Sequence, residues 1–146
     1  MIQVEVQYGV DDQGIPNEQQ FQTWAACIEA SKDLEVSIRI VDEQEMAELN
    51  FQYRKKSGPT NVLSFPADLP ADVDVPFLGD VIICAPIVAQ EATRQEKSLV
   101  SHWAHMSVHG ILHLQGYDHI NEADAAKMES LETSILNNLG FENPYD

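Results

Sequence analysis

The chain is short of positive charge and nearly free of cysteine. Its 146 residues carry eight Lys and Arg against 24 Asp and Glu, a formal net charge of −16. A body that acidic repels phosphate backbones, which excludes strong non-specific nucleic-acid binding by the surface as a whole. Cys27 and Cys84 stand far apart, which excludes a disulfide-dense scaffold and any Cys-x-x-Cys motif. Both are expected to be reduced, buried thiols. No apolar run approaches the roughly 20 residues that span a bilayer. The opening stretch from Met1 to Val6 lacks the basic start and continuous apolar segment of a signal peptide. A cytoplasmic location, with no membrane partner, is the expectation. Internal repeats and low-complexity tracts are also missing.

What is present suits one folded domain over residues 1–146. Apolar content is 44% and charged content 22%, ordinary for a globular chain. A chain of this length buries about two-thirds of its unfolded surface, enough for a core without staples. The few cations are unevenly spread. Arg54, Lys55, Lys56, Arg94 and Lys97 lie between positions 54 and 97, while the first fifty residues hold eleven acids against Lys32 and Arg39. A local positive patch on an acidic body and a plain solvated face both fit this distribution.

Ile2, Val4, Val6 and Tyr8 alternate with polar residues, as do Leu34, Val36, Ile38 and Ile40, so each stretch predicts a half-buried strand. Asn17 with Gln20 resembles a capping box opening a helix whose Phe21, Trp24, Ala25 and Ile28 share a face. Asp42 with Glu45 opens a second helix, expected to turn Met46, Leu49 and Tyr53 inward until Ser57-Gly58-Pro59 breaks it. Val62–Phe65 and Leu78–Cys84 suit two more strands. Between them Pro66 to Pro76, rich in Pro and Asp, predicts an exposed, mobile loop. Helices are expected from Ile87 to about Lys97, from about Leu99 to Gln115, and after Asn121, the last carrying Ala125, Met128, Leu131, Ile135 and Leu139 to a stop at Gly140. This order predicts an α+β fold: one small mixed, mostly parallel four-stranded sheet covered by about five helices. The two early β-α-β steps are expected to join parallel strands.

All five histidines fall within residues 102–119. At about 100° per residue, His105, His109 and His113 share one helical stripe. The rest of that helix is apolar on nearly every side, as in a buried helix. Buried imidazoles need partners, and a metal ion is one. His109 and His113 are i and i+4, Gly116 can take the left-handed turn that ends a helix, and His119 then returns towards the first two. His-x-x-x-His-x-x-Gly-x-x-His is the ligand spacing of the metzincin zinc proteases. Three imidazoles with one open position suit a catalytic zinc site. His105 reads as a supporting or packing residue, and His102 as a surface or helix-start residue. Metzincins place a glutamate base directly after the first ligand. Here that position is Gly110, which cannot accept a proton, so their protease mechanism is excluded.

The string His109-Gly110-Ile111-Leu112-His113-Leu114-Gln115-Gly116-Tyr117-Asp118-His119 resembles the motif of the YbeY family of bacterial endoribonucleases. Leu49–Arg54, Thr60-Asn61-Val62-Leu63-Ser64-Phe65-Pro66 and Leu78-Gly79-Asp80 resemble further segments of that family, so the likeness runs from about residue 45 to 125. Asn61 departs from it, standing where the family usually has aspartate. The resemblance implies a single-strand-specific endoribonuclease of ribosomal RNA processing, small-subunit maturation and ribosome quality control. It implies His109, His113 and His119 as metal ligands and Arg54 as the functional arginine. Single-stranded or ribosomal RNA would be the substrate, with ribosomal proteins or assembly factors as partners.

A tris-imidazole zinc lowers the pKa of a water to about 7, and a guanidinium binds phosphate oxygens through its planar fork. Imidazole donors also suit nickel or another divalent transition metal. Asp118 either orients a ligand ring or caps the turn. Two other functions remain open at this stage: a non-catalytic ribosome-assembly factor with a structural metal, and a hydrolase of a small molecule or peptide.

Overall fold

The computed structural model describes residues 1–68, 76–118 and 120–145. Elements follow in the order β1 (Ile2–Tyr8), α1 (Glu18–Ala26), β2 (Leu34–Val41), α2 (Glu43–Arg54), β3 (Val62–Pro66), β4 (Phe77–Cys84), α3 (Ala85–Arg94), α4 (Leu99–Leu114) and α5 (Glu122–Asn138). The expected loop runs into residues 69–75, and these, with His119, lie outside the described residues.

Four strands form one sheet in the order β1-β2-β4-β3. β1 pairs with β2 in parallel, β2 pairs with β4 in parallel, and β3 runs antiparallel to β4 at the edge. The mixed, mostly parallel sheet and the five helices are as the sequence order predicts. The second β-α-β step is not: the chain leaves β2 through α2 and comes back as β3, which lies beyond β4 and points the other way. The β3–β4 connection allows this antiparallel pairing, and β4 then takes the place beside β2.

Period-2 alternation divides the sheet into two faces. Val36, Ile38, Val81 and Ile83 point into the larger core with Phe21, Trp24, Trp103, Ile111 and Leu112. Val41, Leu63, Ile82 and Cys84 point to the opposite face, where α2 covers them with Met46. Helix α4 lies on the larger-core face and touches β3, β4, α1, α3 and α5. Being surrounded on all sides explains why its sequence is apolar nearly all round.

Local capping follows the sequence closely. Asn17 and Gln20 exchange side-chain to backbone hydrogen bonds at α1, a complete capping box. Asp42 accepts from the Glu45 amide at 2.8 Å, but the Glu45 carboxylate turns to Arg39 of β2 at 2.8 Å instead of closing a box. Tyr53 is 58% exposed rather than inward, near the end of α2 with its ring against Phe65 of edge strand β3. Cys84 is buried as expected, whereas Cys27 is exposed at the end of α1. Among the described residues no helix is long and apolar enough to cross a membrane.

Candidate metal centre

Ser98 caps α4 by accepting from the Ser101 amide, and the helix continues unbroken to Leu114. His102, His105, His109 and His113 are spaced 3, 4 and 4 apart, so their rings form one row down a single side. Successive ring centroids are 6.1, 6.2 and 4.7 Å apart, each pair edge-to-face. Gly116 has φ +100, the left-handed conformation expected at this turn. His119 follows it, outside the described residues.

Carboxylates from two neighbouring helices face this row. Glu91 of α3 meets Nε2 of His102 at 2.9 Å. Glu132 of α5 meets Nε2 of His105 at 2.6 Å with one oxygen and Nδ1 of His109 at 2.9 Å with the other. The Tyr145 hydroxyl donates to Glu132 at 2.7 Å. Burial alone would push the Glu132 carboxyl up, but hydrogen bonds from His105, His109 and Tyr145 outweigh it and bring it down to about 2. Burial raises the Tyr145 hydroxyl, and the adjoining Glu132 carboxylate raises it further. Burial lowers His102 despite the opposing effect of Glu91, favouring its neutral form. His102 is therefore not a surface residue: α3 and the segment after α5 enclose it, leaving it 2% exposed.

Glu132 was not singled out in the sequence, although a signal is visible there. It lies on the apolar stripe of α5 between Met128 and Ile135, where a charged residue is out of place unless something buried answers it.

The absence of a base beside His109 has a packing cause. Gly110 faces the sheet, and a Cβ added there would stand 2.5 Å from Val81 Cγ1 and 3.3 Å from Val62 Cγ2. Its carbonyl accepts from the Ser64 hydroxyl at 2.9 Å. Helix and strands approach too closely for any side chain at this position, a glutamate least of all.

The donor set suits a transition metal. Two half-buried imidazoles, His109 and His113, stand side by side one helical turn apart, and the Nδ1 of His109 is already engaged by a carboxylate. That is the usual support of a metal-bound histidine. The donor atoms of His105, His109 and Glu132 also lie within 4.8 Å of one another, a second grouping able to hold a cation.

Arg54 is elsewhere. It is the last residue of α2, exposed, on the sheet face opposite α4. Tyr53 beside it packs its ring 5.0 Å from Phe65 of edge strand β3. Lys55 caps the helix in the left-handed conformation with φ 57, and Lys56 follows, also exposed. Arg94 on α3 lies 3.8 Å from Glu91.

Comparison with known proteins identifies the family and the fold. The family model described as endoribonuclease YbeY matches residues 10–140. The solution structure of TM1509 from Thermotoga maritima is similar with a TM-score of 0.55 and 25% identity, over 100% of this chain and 99% of that one.

Proposed function

Because the chain belongs to the YbeY family of endoribonucleases, whose role is ribosomal RNA processing, we propose that it is a zinc-dependent, single-strand-specific endoribonuclease with His109, His113 and His119 as metal ligands. The observation that carries this reading is the adjacent His109–His113 pair, with Glu132 on the Nδ1 of His109. His109, His113 and His119 would hold the zinc, which would supply Lewis acidity towards a phosphoryl oxygen and a lowered pKa for water. The chain's own residues then have distinct tasks. His109 and His113, fixed on a buried helix, keep the donors in place. Arg54 binds the equatorial oxygens of the phosphodiester with its planar fork. The substrate passes over edge strand β3, with Arg54 on the α2 side of the sheet and the histidines on the α4 side.

Substrate recognition follows from the same end of α2. Arg54, Lys55 and Lys56 are exposed beside Phe51 and Tyr53, which are 62% and 58% exposed. Cations for the backbone and open aromatic faces for unstacked bases are the combination that single-stranded nucleic acid uses. Elsewhere the acidic body suits docking against basic ribosomal proteins or assembly factors in the cytoplasm, where small-subunit maturation and quality control take place.

Two substitutions test the assignment on purified full-length protein. His113→Ala is expected to lose both metal, by elemental analysis, and RNA cleavage. Undiminished cleavage by the metal-free mutant overturns the metal reading. Arg54→Glu is expected to keep its metal while cleavage falls at least about 100-fold. A normal rate removes Arg54 from the mechanism.

A further inference from the structure

Glu132 is completely buried, yet each of its oxygens has its own partners. Oε1 takes the Nδ1 of His109, and Oε2 takes the Nε2 of His105 together with the Tyr145 hydroxyl. Met128, Ile135 and Leu136 surround it on the buried side of α5, where a leucine would pack without leaving a charge to satisfy. We propose that Glu132 is a positioning residue for the metal centre, fixing the His109 ring through Nδ1 so that Nε2 is the atom that meets the cation, and that Tyr145 locks the carboxylate in that pose. The inference rests on reading His109, His113 and His119 as the ligands.

Imidazole has two nitrogens, and the hydrogen bond made by one decides the role of the other. A carboxylate accepts, so the Nδ1 of His109 carries the proton, and in the neutral ring the lone pair is then on Nε2. A single hydrogen bond would still let the carboxylate rotate. Here the second oxygen is held by a ring and a hydroxyl from two different parts of the chain, so rotation breaks both contacts.

Tyr145 is itself held in place. Its amide donates to Asn143 Oδ1 at 2.8 Å, Lys97 donates to the Pro144 carbonyl, and the Phe141 amide donates to the Leu136 carbonyl at 2.9 Å. Lys97 of the α3–α4 connection and Leu136 of α5 thus hold the segment 141–145 from which Tyr145 reaches the buried carboxylate. His105 has the role of an anchor for Glu132.

The His105–His109–Glu132 grouping is a rival place for the cation. Donors around a tetrahedral zinc with bonds of about 2.0–2.1 Å stand about 3.3 Å apart. His105 Nε2 and Glu132 Oε2 stand 2.6 Å apart in a direct hydrogen bond, so a cation in that grouping would have to break this contact and part the two donors.

The test measures zinc affinity by chelator competition, the visible spectrum of cobalt(II)-loaded protein, and the melting temperature of the metal-free form. It compares wild type with E132Q, Y145F, H105A and H113A. The proposal expects E132Q to weaken zinc about 10–100-fold and to shift the cobalt bands, with Y145F weaker by about three-fold. H105A is expected to retain the cation and H113A to lose it.

Wild-type affinity and bands in E132Q and Y145F, even with a lowered melting temperature, reduce Glu132 to a structural role and overturn the proposal. Loss of zinc by H113A in the same series leaves the ligand reading standing. Retention by H113A with loss from H105A moves the cation to the rival grouping and overturns both. If E132Q does not fold, Y145F decides, since it removes one hydroxyl from a partly exposed ring.

Discussion

Asn61 donates its amide to both oxygens of Glu91, at 3.2 and 3.3 Å, while its own oxygen accepts from the Val62 amide at 2.7 Å. Glu91 in turn supports the buried His102. The asparagine is visible in the sequence as a departure from the motif it resembles, but its partner, thirty residues on, is not. The structure gives the departure a physical sense: an amide can donate to Glu91, and an aspartate would set a second carboxylate against it. Asn61→Asp is therefore expected to cost about 1–3 kcal/mol in urea unfolding at neutral pH, through an unpaired charge and a lost donor. Adding Glu91→Gln should return part of that loss. Equal stability of Asn61→Asp and wild type would show that the contact carries no weight.

The helix α4 was legible as an element because of its apolar circumference and its i, i+4 histidines. Its closeness to the sheet was not. Gly110 reads in the sequence as a missing base, whereas in the fold it is a position where α4 lies too close to Val81 of β4 and Val62 of β3 to admit a Cβ. Valine is stiff at χ1, so Val81 cannot swing away from a new methyl group. Gly110→Ala is expected to lower stability by about 1–3 kcal/mol through overpacking, against the small gain in helix propensity. A double-mutant cycle with Val81→Ala should show a coupling of at least about 0.5 kcal/mol. Additive effects would mean that the sheet gives way elsewhere. α5 shows the converse: its apolar stripe is legible in the sequence, whereas the imidazoles that answer the acid interrupting it come from another helix.

For the whole molecule the charge balance sets the terms of RNA binding. With −16 overall and three of eight cations in consecutive positions, 54 to 56, attraction to a backbone is local and repulsion is general. Binding of a single-stranded oligonucleotide should weaken steeply with salt, with a slope of about 0.7 for each phosphate neutralised. Replacing Lys55 and Lys56 by Gln is expected to flatten that slope by up to about 1.4, while leaving stability within about 0.5 kcal/mol, since both side chains are exposed. An unchanged slope would place the RNA path on another surface.

The sequence by itself determined the elements, their caps, the α+β class and the histidine row, because each rests on contacts within a few residues or on a short periodic pattern. Tertiary structure decided which strand β4 pairs with, which carboxylate answers which imidazole, why position 110 admits no side chain, and on which side of the sheet Arg54 emerges. These are relations between residues from 11 to 48 positions apart. Their geometry depends on how the layers close on one another, and no local spacing records that.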